Sequence, residues 1–116
     1  MSYPLIINNK IARFNKVISV SGDKSLSIRW VLLSSLANGT STAKNLLLSE
    51  DVLAAINAIK ILGIKSKITK NKVKIFGKGF EGYKYKKNIT INAENSGTLG
   101  RIILGLLINT KHPIKV

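Results

Sequence analysis

Twice in this chain a strand-like run gives way, through a polar, glycine-bearing stretch, to a run of helical period: first at Gly22-Asp23-Lys24-Ser25-Leu26-Ser27-Ile28-Arg29, then at Asn95-Ser96-Gly97-Thr98-Leu99-Gly100-Arg101. A chain whose apolar period switches in order between two and 3.6 can satisfy its backbone only as strands and helices in turn, with the helices laid on a sheet. The sequence therefore predicts an α/β or α+β layered fold. Both junctions also place backbone donors and a cation where an oxyanion could sit.

Short strands are expected at 5–7, 11–14 and 17–20, with Asn8-Asn9 turning between the first two. A helix is predicted over 24–37, stopped by Asn38-Gly39 in the left-handed manner, and a strand over 40–44. Ser49 offers an N-cap, Glu50 and Asp51 suit a first turn, and Val52, Ala55, Ile56, Ile59 and Leu62 make one apolar stripe that stops at Gly63. From 64 to 76 the pattern alternates strictly, with Lys65, Lys67, Lys72 and Lys74 opposite Ile64, Ile68, Val73 and Ile75. With Lys70-Asn71 as its turn, this stretch predicts a hairpin with one wet face. A Gly- and Lys-rich loop follows over 77–87, then a strand at 88–93, a helix over 95–109 and the opening of another strand at 113–116.

The 116 residues suffice for a domain that buries roughly two-thirds of its unfolded surface. There is no cysteine, hence no disulfide framework and no thiolate metal site. The sequence opens without the charged lead and long apolar run of a signal peptide, which predicts a cytoplasmic protein. Its longest apolar run, 102–108, falls far short of the roughly 20 residues a membrane span needs, so no membrane partner is expected.

A formal charge of +14 raises the question of nucleic acid, since clustered cations neutralise phosphates. Sixteen of the nineteen cations are Lys, however, and Arg is the residue suited to planar phosphate and base contacts. The Lys excess reads as a bias spread over an ordinary surface, and nucleic acid is not expected as a partner. The rival reading is a Lys-rich module for nucleic acid or anionic surfaces, with Phe80, Tyr83 and Tyr85 interleaved for stacking.

At the first junction Gly22 permits a close backbone approach, Asp23 or Ser25 can cap the helix, and the first helical N–H groups stay free for an anion. Lys24 adds a mobile charge, Ser25 a hydroxyl, and Arg29, one turn further, a planar fork. The phosphate loop of nucleotide triphosphatases is excluded, because its first glycine is missing at the required spacing. At the second junction Asn95 can cap, Ser96 and Thr98 offer hydroxyls, and Arg101 shares a face with Gly97. Within a first turn Gly costs roughly 1 kcal/mol relative to Ala. A ligand that must approach the backbone would explain Gly97.

The run Val20-Ser21-Gly22-Asp23-Lys24-Ser25-Leu26-Ser27-Ile28-Arg29, then Asn45-Leu46-Leu47-Leu48-Ser49-Glu50-Asp51, then Asn95-Ser96-Gly97-Thr98 resembles, in order and spacing, the N-terminal part of the 5-enolpyruvylshikimate-3-phosphate synthases. The sister family, the UDP-N-acetylglucosamine enolpyruvyl transferases, usually has Asn after the motif lysine, where this chain has Ser25. A relative of that sister family remains the nearer alternative.

The resemblance implies transfer of the enolpyruvyl group of phosphoenolpyruvate to the 5-hydroxyl of shikimate 3-phosphate, with release of phosphate and no cofactor. By position, Lys24 would contact both substrates, Ser25 and Arg29 would hold shikimate 3-phosphate, and Asn95 and Gly97 would line the phosphoenolpyruvate pocket, with Thr98 and Arg101 in support. It further implies a monomeric enzyme several times longer, with two domains built from βαβαββ units in an inside-out α/β barrel. Residues 1–20 would be the first strands of one domain and 21–116 the first part of the other. Because the sequence stops as a strand begins, an incomplete domain without turnover of its own is expected. Three residues depart from the family pattern: Glu94 where Gly is usual, Ile28 where His or Asn is frequent, and Ile102 in place of a common Pro. Glu94 is expected to face solvent, where it does least harm to an anion pocket.

Overall fold

The computed structural model describes residues 3, 4, 6–8, 10, 13, 15–70 and 72–116. Their elements run α1 (Lys24–Ser35), β1 (Asn38–Lys44), α2 (Glu50–Ile61), β2 (Lys65–Thr69), β3 (Lys72–Lys78) and α3 (Gly97–Leu106). The sheet order is β1-β3-β2 with both pairings antiparallel, so β1 and β2 run parallel on either side of β3. The unit β1-α2-β2 is thus a split crossover, with the returning hairpin strand filling the gap it leaves.

One face of this sheet is apolar and carries the helices. Val73 and Ile75 of β3 are fully buried with Ile64, against Ile28, Val31 and Leu32 of α1 and Val52, Ala55, Ile56 and Ile59 of α2. Helix α3 adds Leu99 and Ile103 to the same cluster. Side chains alternate across a strand, so the same register turns Lys65, Lys67, Lys72 and Lys74 outward. Ile68, assigned by the alternation to the core face, is 40% exposed, so the core does not cover it.

Helix α2 ends as its sequence dictates. Gly63 takes φ +85, its N–H donates to the Lys60 carbonyl, and the Ile64 N–H donates to the Ile59 carbonyl. That is the paired-bond stop which a left-handed glycine permits. At the other end Ser49 occupies the capping position, but its side chain caps nothing, and its Oγ is buried without a partner.

Several expectations are corrected. Helix α1 stops at Ser35 and not at residue 37, and Asn38-Gly39 opens β1, paired with Lys78 and Gly77. The end of α1 is instead closed by the Leu36 and Ala37 N–H groups on the Leu33 and Ser34 carbonyls. Residues 17–20 form no strand, because a strand needs a partner for its N–H and C=O groups, and Val17, Ile18 and Val20 lie exposed. The expected strands at 5–7 and 11–14, and Asn71 of the hairpin turn, fall wholly or partly outside the described residues.

The strand expected at 88–93 reduces to one parallel bridge, Thr90 with Lys115, held by Ile91 N–H to the Lys115 carbonyl and Lys115 N–H to the Ile89 carbonyl. Left-handed residues at Asn88 (φ 59) and Glu94 (φ 49) bend the backbone before and after it. The predicted final strand is the other half of this bridge. Helix α3 is also shorter than expected, ending at Leu106.

Candidate functional site

Helix α1 begins because Asp23, extended at φ −84, accepts the Leu26 N–H on its side chain at 2.7 Å. That cap uses one of the free donors and leaves the rest of the first turn facing outward. Lys24 and Ser25 lie on that turn and Arg29 one turn on; Lys24 and Arg29 are exposed and Ser25 is half-buried. The turn is fixed by what lies behind it. Gly22 stands so close to the segment before α2 that a Cβ there would meet the Asn45 carbonyl at 2.6 Å and the Leu47 nitrogen at 2.7 Å.

The Lys24 ammonium pairs with Asp51 Oδ2 at 3.0 Å. Asp51 stands in the first turn of α2, where a carboxylate also suits the helix dipole. Its side chain is mostly buried, at 16% exposure, while that of Lys24 is 55% exposed. The cation therefore reaches solvent while one side of it is held. Sequence reasoning read Asp51 only as a first-turn acid and did not foresee the pair, since nothing local connects the starts of two separate helices.

Helix α3 opens by the same device with a different residue. Ser96, buried at 5%, accepts the Leu99 N–H on Oγ at 3.1 Å, so the cap is Ser96 and not Asn95. Asn95 stays exposed beside it. Gly97 is the first helical residue, and a Cβ built on it meets nothing within 4 Å. The protein itself does not require glycine there for space. Glu94 is exposed, as expected, and its carboxylate accepts from Asn92 Nδ2 at 2.8 Å while its N–H donates to Asn92 Oδ1 at 2.8 Å. Its left-handed backbone gives the physical reason why glycine suits this position.

The two motifs open helices that pack directly on each other in one core. Among the described residues, no hydrogen bond or ion pair joins one motif to the other. The side chains of Ser25, Arg29, Asn95, Thr98 and Arg101 take part in none at all. Of the seven candidates only Lys24 is engaged. Three supporting residues escaped the sequence reading: Asp51, Asn45 and Ser27. A polar residue tolerant of left-handed backbone, between a strand and a helix, was the available signal for Asn45.

The Lys-rich alternative is weakened by its aromatics. The Tyr83 hydroxyl lies 2.7 Å from Ser35 Oγ, and burial raises the Tyr83 pKa above its ordinary value while the Ser35 bond opposes that rise. The Tyr85 hydroxyl donates to the His112 carbonyl and accepts the His112 N–H, both at 3.1 Å. Both hydroxyls thus tie the loop to the body of the protein, Tyr83 to α1 and Tyr85 to the backbone of His112, which gives the two rings a structural use. Phe80 is open to solvent. Among the described residues no helix is long and apolar enough to cross a membrane, and no group of three or more His, Cys, Asp or Glu could hold a metal ion.

Fold and site together define an α/β protein in which two helices packed in one core each open with first-turn N–H groups their caps do not take, a feature suited to small anions. The profile described as EPSP synthase (3-phosphoshikimate 1-carboxyvinyltransferase) matches residues 8–116. A 3-phosphoshikimate 1-carboxyvinyltransferase of Bacillus cytotoxicus is 41% identical over 95 residues, covering 82% of this chain and 22% of the relative. One of Thermoanaerobacter sp. is 42% identical over 106 residues, covering 90% and 25%. The solved EPSP synthase of Acinetobacter baumannii superposes with a TM-score of 0.70 at 34% identity, over 78% of this chain and 20% of that one. The chain belongs to the EPSP synthase family. It spans about a quarter of the length of the curated relatives it matches.

Proposed function

We propose that this chain supplies one wall of the substrate site of a cytoplasmic 3-phosphoshikimate 1-carboxyvinyltransferase, acting in the shikimate route to aromatic amino acids. In that reaction the 5-hydroxyl of shikimate 3-phosphate gives up its proton as its oxygen bonds to the phosphate-bearing carbon of phosphoenolpyruvate, whose double bond opens as the methylene carbon takes up a proton. The carbon–oxygen bond to phosphate then breaks and inorganic phosphate leaves, as loss of a proton from that methylene-derived carbon restores the double bond. Lys24 neutralises charge on both substrates, Ser25 and Arg29 hold shikimate 3-phosphate, and Asn95 and Gly97 line the phosphoenolpyruvate pocket with Thr98 and Arg101 beside them. Proton transfer falls to groups outside this chain. Residues 1–20 and 21–116 belong, on this reading, to different domains that close over the substrates of a monomer.

The observation that carries the reading is that both motifs open helices packed in one core, each with first-turn donors its cap does not take, and that the first also carries a cation held by Asp51. A closed, dry site makes such pre-set charge worth most, because no donor has to reorganise as the phosphate departs. The test is a chimera in which this chain replaces the matching quarter of the Thermoanaerobacter enzyme. Phosphate release that requires both substrates is expected, and the 116 residues alone are expected to release none. A chimera that melts cooperatively yet binds neither substrate would reject the assignment.

A further inference from the structure

The turn that carries Lys24 and Ser25 is flanked on both sides by bonds to one other segment. Asn45 Nδ2 donates to the Val20 carbonyl at 2.6 Å, on the near side of the turn. On the far side the Leu47 N–H donates to Ser27 Oγ at 3.2 Å. Between them lie the close approach of Gly22 to Asn45 and Leu47, and the Lys24–Asp51 pair. Residues 45–49 belong to no helix or strand, so no ladder fixes them. Asn45 holds φ 57, a left-handed conformation that Asn tolerates better than most residues. Ser27, 4% exposed, faces away from solvent on the buried side of α1.

We infer that Asn45 and Ser27 are positioning residues for the anion site: a brace that sets the first turn of α1 against the first turn of α2, and with it the place of the Lys24 ammonium. The inference rests on the functional reading above and adds two residues to it. A lysine on four rotatable bonds finds a given spot only as well as its backbone is placed. A shift of about 1 Å in a positioning element is enough to cost binding and rate. Asn45 and Ser27 act on 20–27 through backbone bonds, so their loss would move Lys24 while the core beneath stays packed.

The test uses the full 116-residue chain and NMR. Asn45→Asp keeps size and tolerance of left-handed backbone but removes the donor, and Ser27→Ala removes the acceptor. Thr69→Ala, which deletes a side-chain bond to the Lys72 carbonyl in the hairpin, is the control. The first readout is the Lys24 side-chain ammonium signal, with Asp51→Asn marking its unpaired position. The second is titration with shikimate 3-phosphate followed at the amides of residues 24–26. Both brace variants are expected to move the ammonium signal toward the unpaired position and to bind about fivefold more weakly, as for one lost hydrogen bond. Core amides such as Ile59 and Ile75 are expected to stay put, and Thr69→Ala to match the parent. If Asn45→Asp does not fold, Asn45→Gly replaces it. Brace variants with the parent's ammonium signal overturn the inference. If the parent itself binds no shikimate 3-phosphate, the same titration is made on the chimera, where failure to bind rejects the functional reading, and the brace stands or falls on the ammonium signal alone.

Discussion

The helix that opens at Asp23 and the helix that opens at Ser96 are capped alike and furnished in opposite ways. Each cap takes the N–H three residues on, at 2.7 and 3.1 Å. Behind the first start stands a bonded segment and an acid that holds its cation. Before the second there is open space over Gly97, and Glu94, three residues earlier, is turned onto Asn92. Capping alone would have been met by either arrangement. What differs is where a cation waits when no ligand is present, and a cation kept in register is one that need not be recruited during reaction. The pair that keeps it there is weak enough to yield. Solvent screens the pair on the half-exposed Lys24 side, and a phosphorylated acid brings more charge than Asp51 alone.

The comparison breaks most visibly at Lys24. In the chimera, Lys24→Ala is expected to lower phosphate release by about 10²–10³, the cost of removing one pre-set electrostatic donor. Arg101→Ala, at the open start, is expected to cost far less. Equal losses would mean that the braced start has no privileged part in the chemistry.

Gly97→Ala probes the open start. The added methyl meets no protein atom within 4 Å, so melting is expected to stay the same or to rise through better helix propensity. Affinity for phosphoenolpyruvate, and for its competitive mimic glyphosate, is expected to fall by roughly tenfold, an effect of about 1.4 kcal/mol. Unchanged affinities for both would discard the argument from close approach. The two caps test the shared part of the design: Asp23→Ala and Ser96→Ala should each cost about 1 kcal/mol in chemical denaturation. A much larger loss at Asp23 would show that the brace and the cap stand or fall together.

What was legible in the sequence was local. Helix α2 could be read from its apolar stripe, its first-turn acids and Gly63, because each of these acts on backbone within a few residues of itself. The same holds for the hairpin, whose alternation set which face is buried. The two helix starts were legible as starts, although Asn95 was credited with a cap that Ser96 provides. The Lys24–Asp51 pair, the Asn45 bond and the Ser27 bond were not legible, since each joins segments far apart in sequence and depends on the sheet bringing them together. Residues 17–20 carry strand-forming letters, but pairing is a property of two segments and letters describe only one.

Glu94 gives the smallest effect and the sharpest reading of the open start. A non-glycine residue in the left-handed region costs about 1–2 kcal/mol, and Glu94 sits there at φ 49. Against this, its carboxylate accepts from Asn92 Nδ2, a bond that glycine would lose, whereas the backbone bond to Asn92 Oδ1 would remain. Glycine also frees the unfolded chain, which takes back part of the gain. Glu94→Gly is therefore expected to stabilise the chain by only about 0.5 kcal/mol in chemical denaturation. If the carboxylate also repels an incoming acid at Gly97, phosphoenolpyruvate should bind the chimera more tightly after the change at low salt, and equally at high salt where exposed charges are screened. A gain in stability without a salt-dependent gain in affinity would mean that the turn onto Asn92 already keeps this charge out of the pocket.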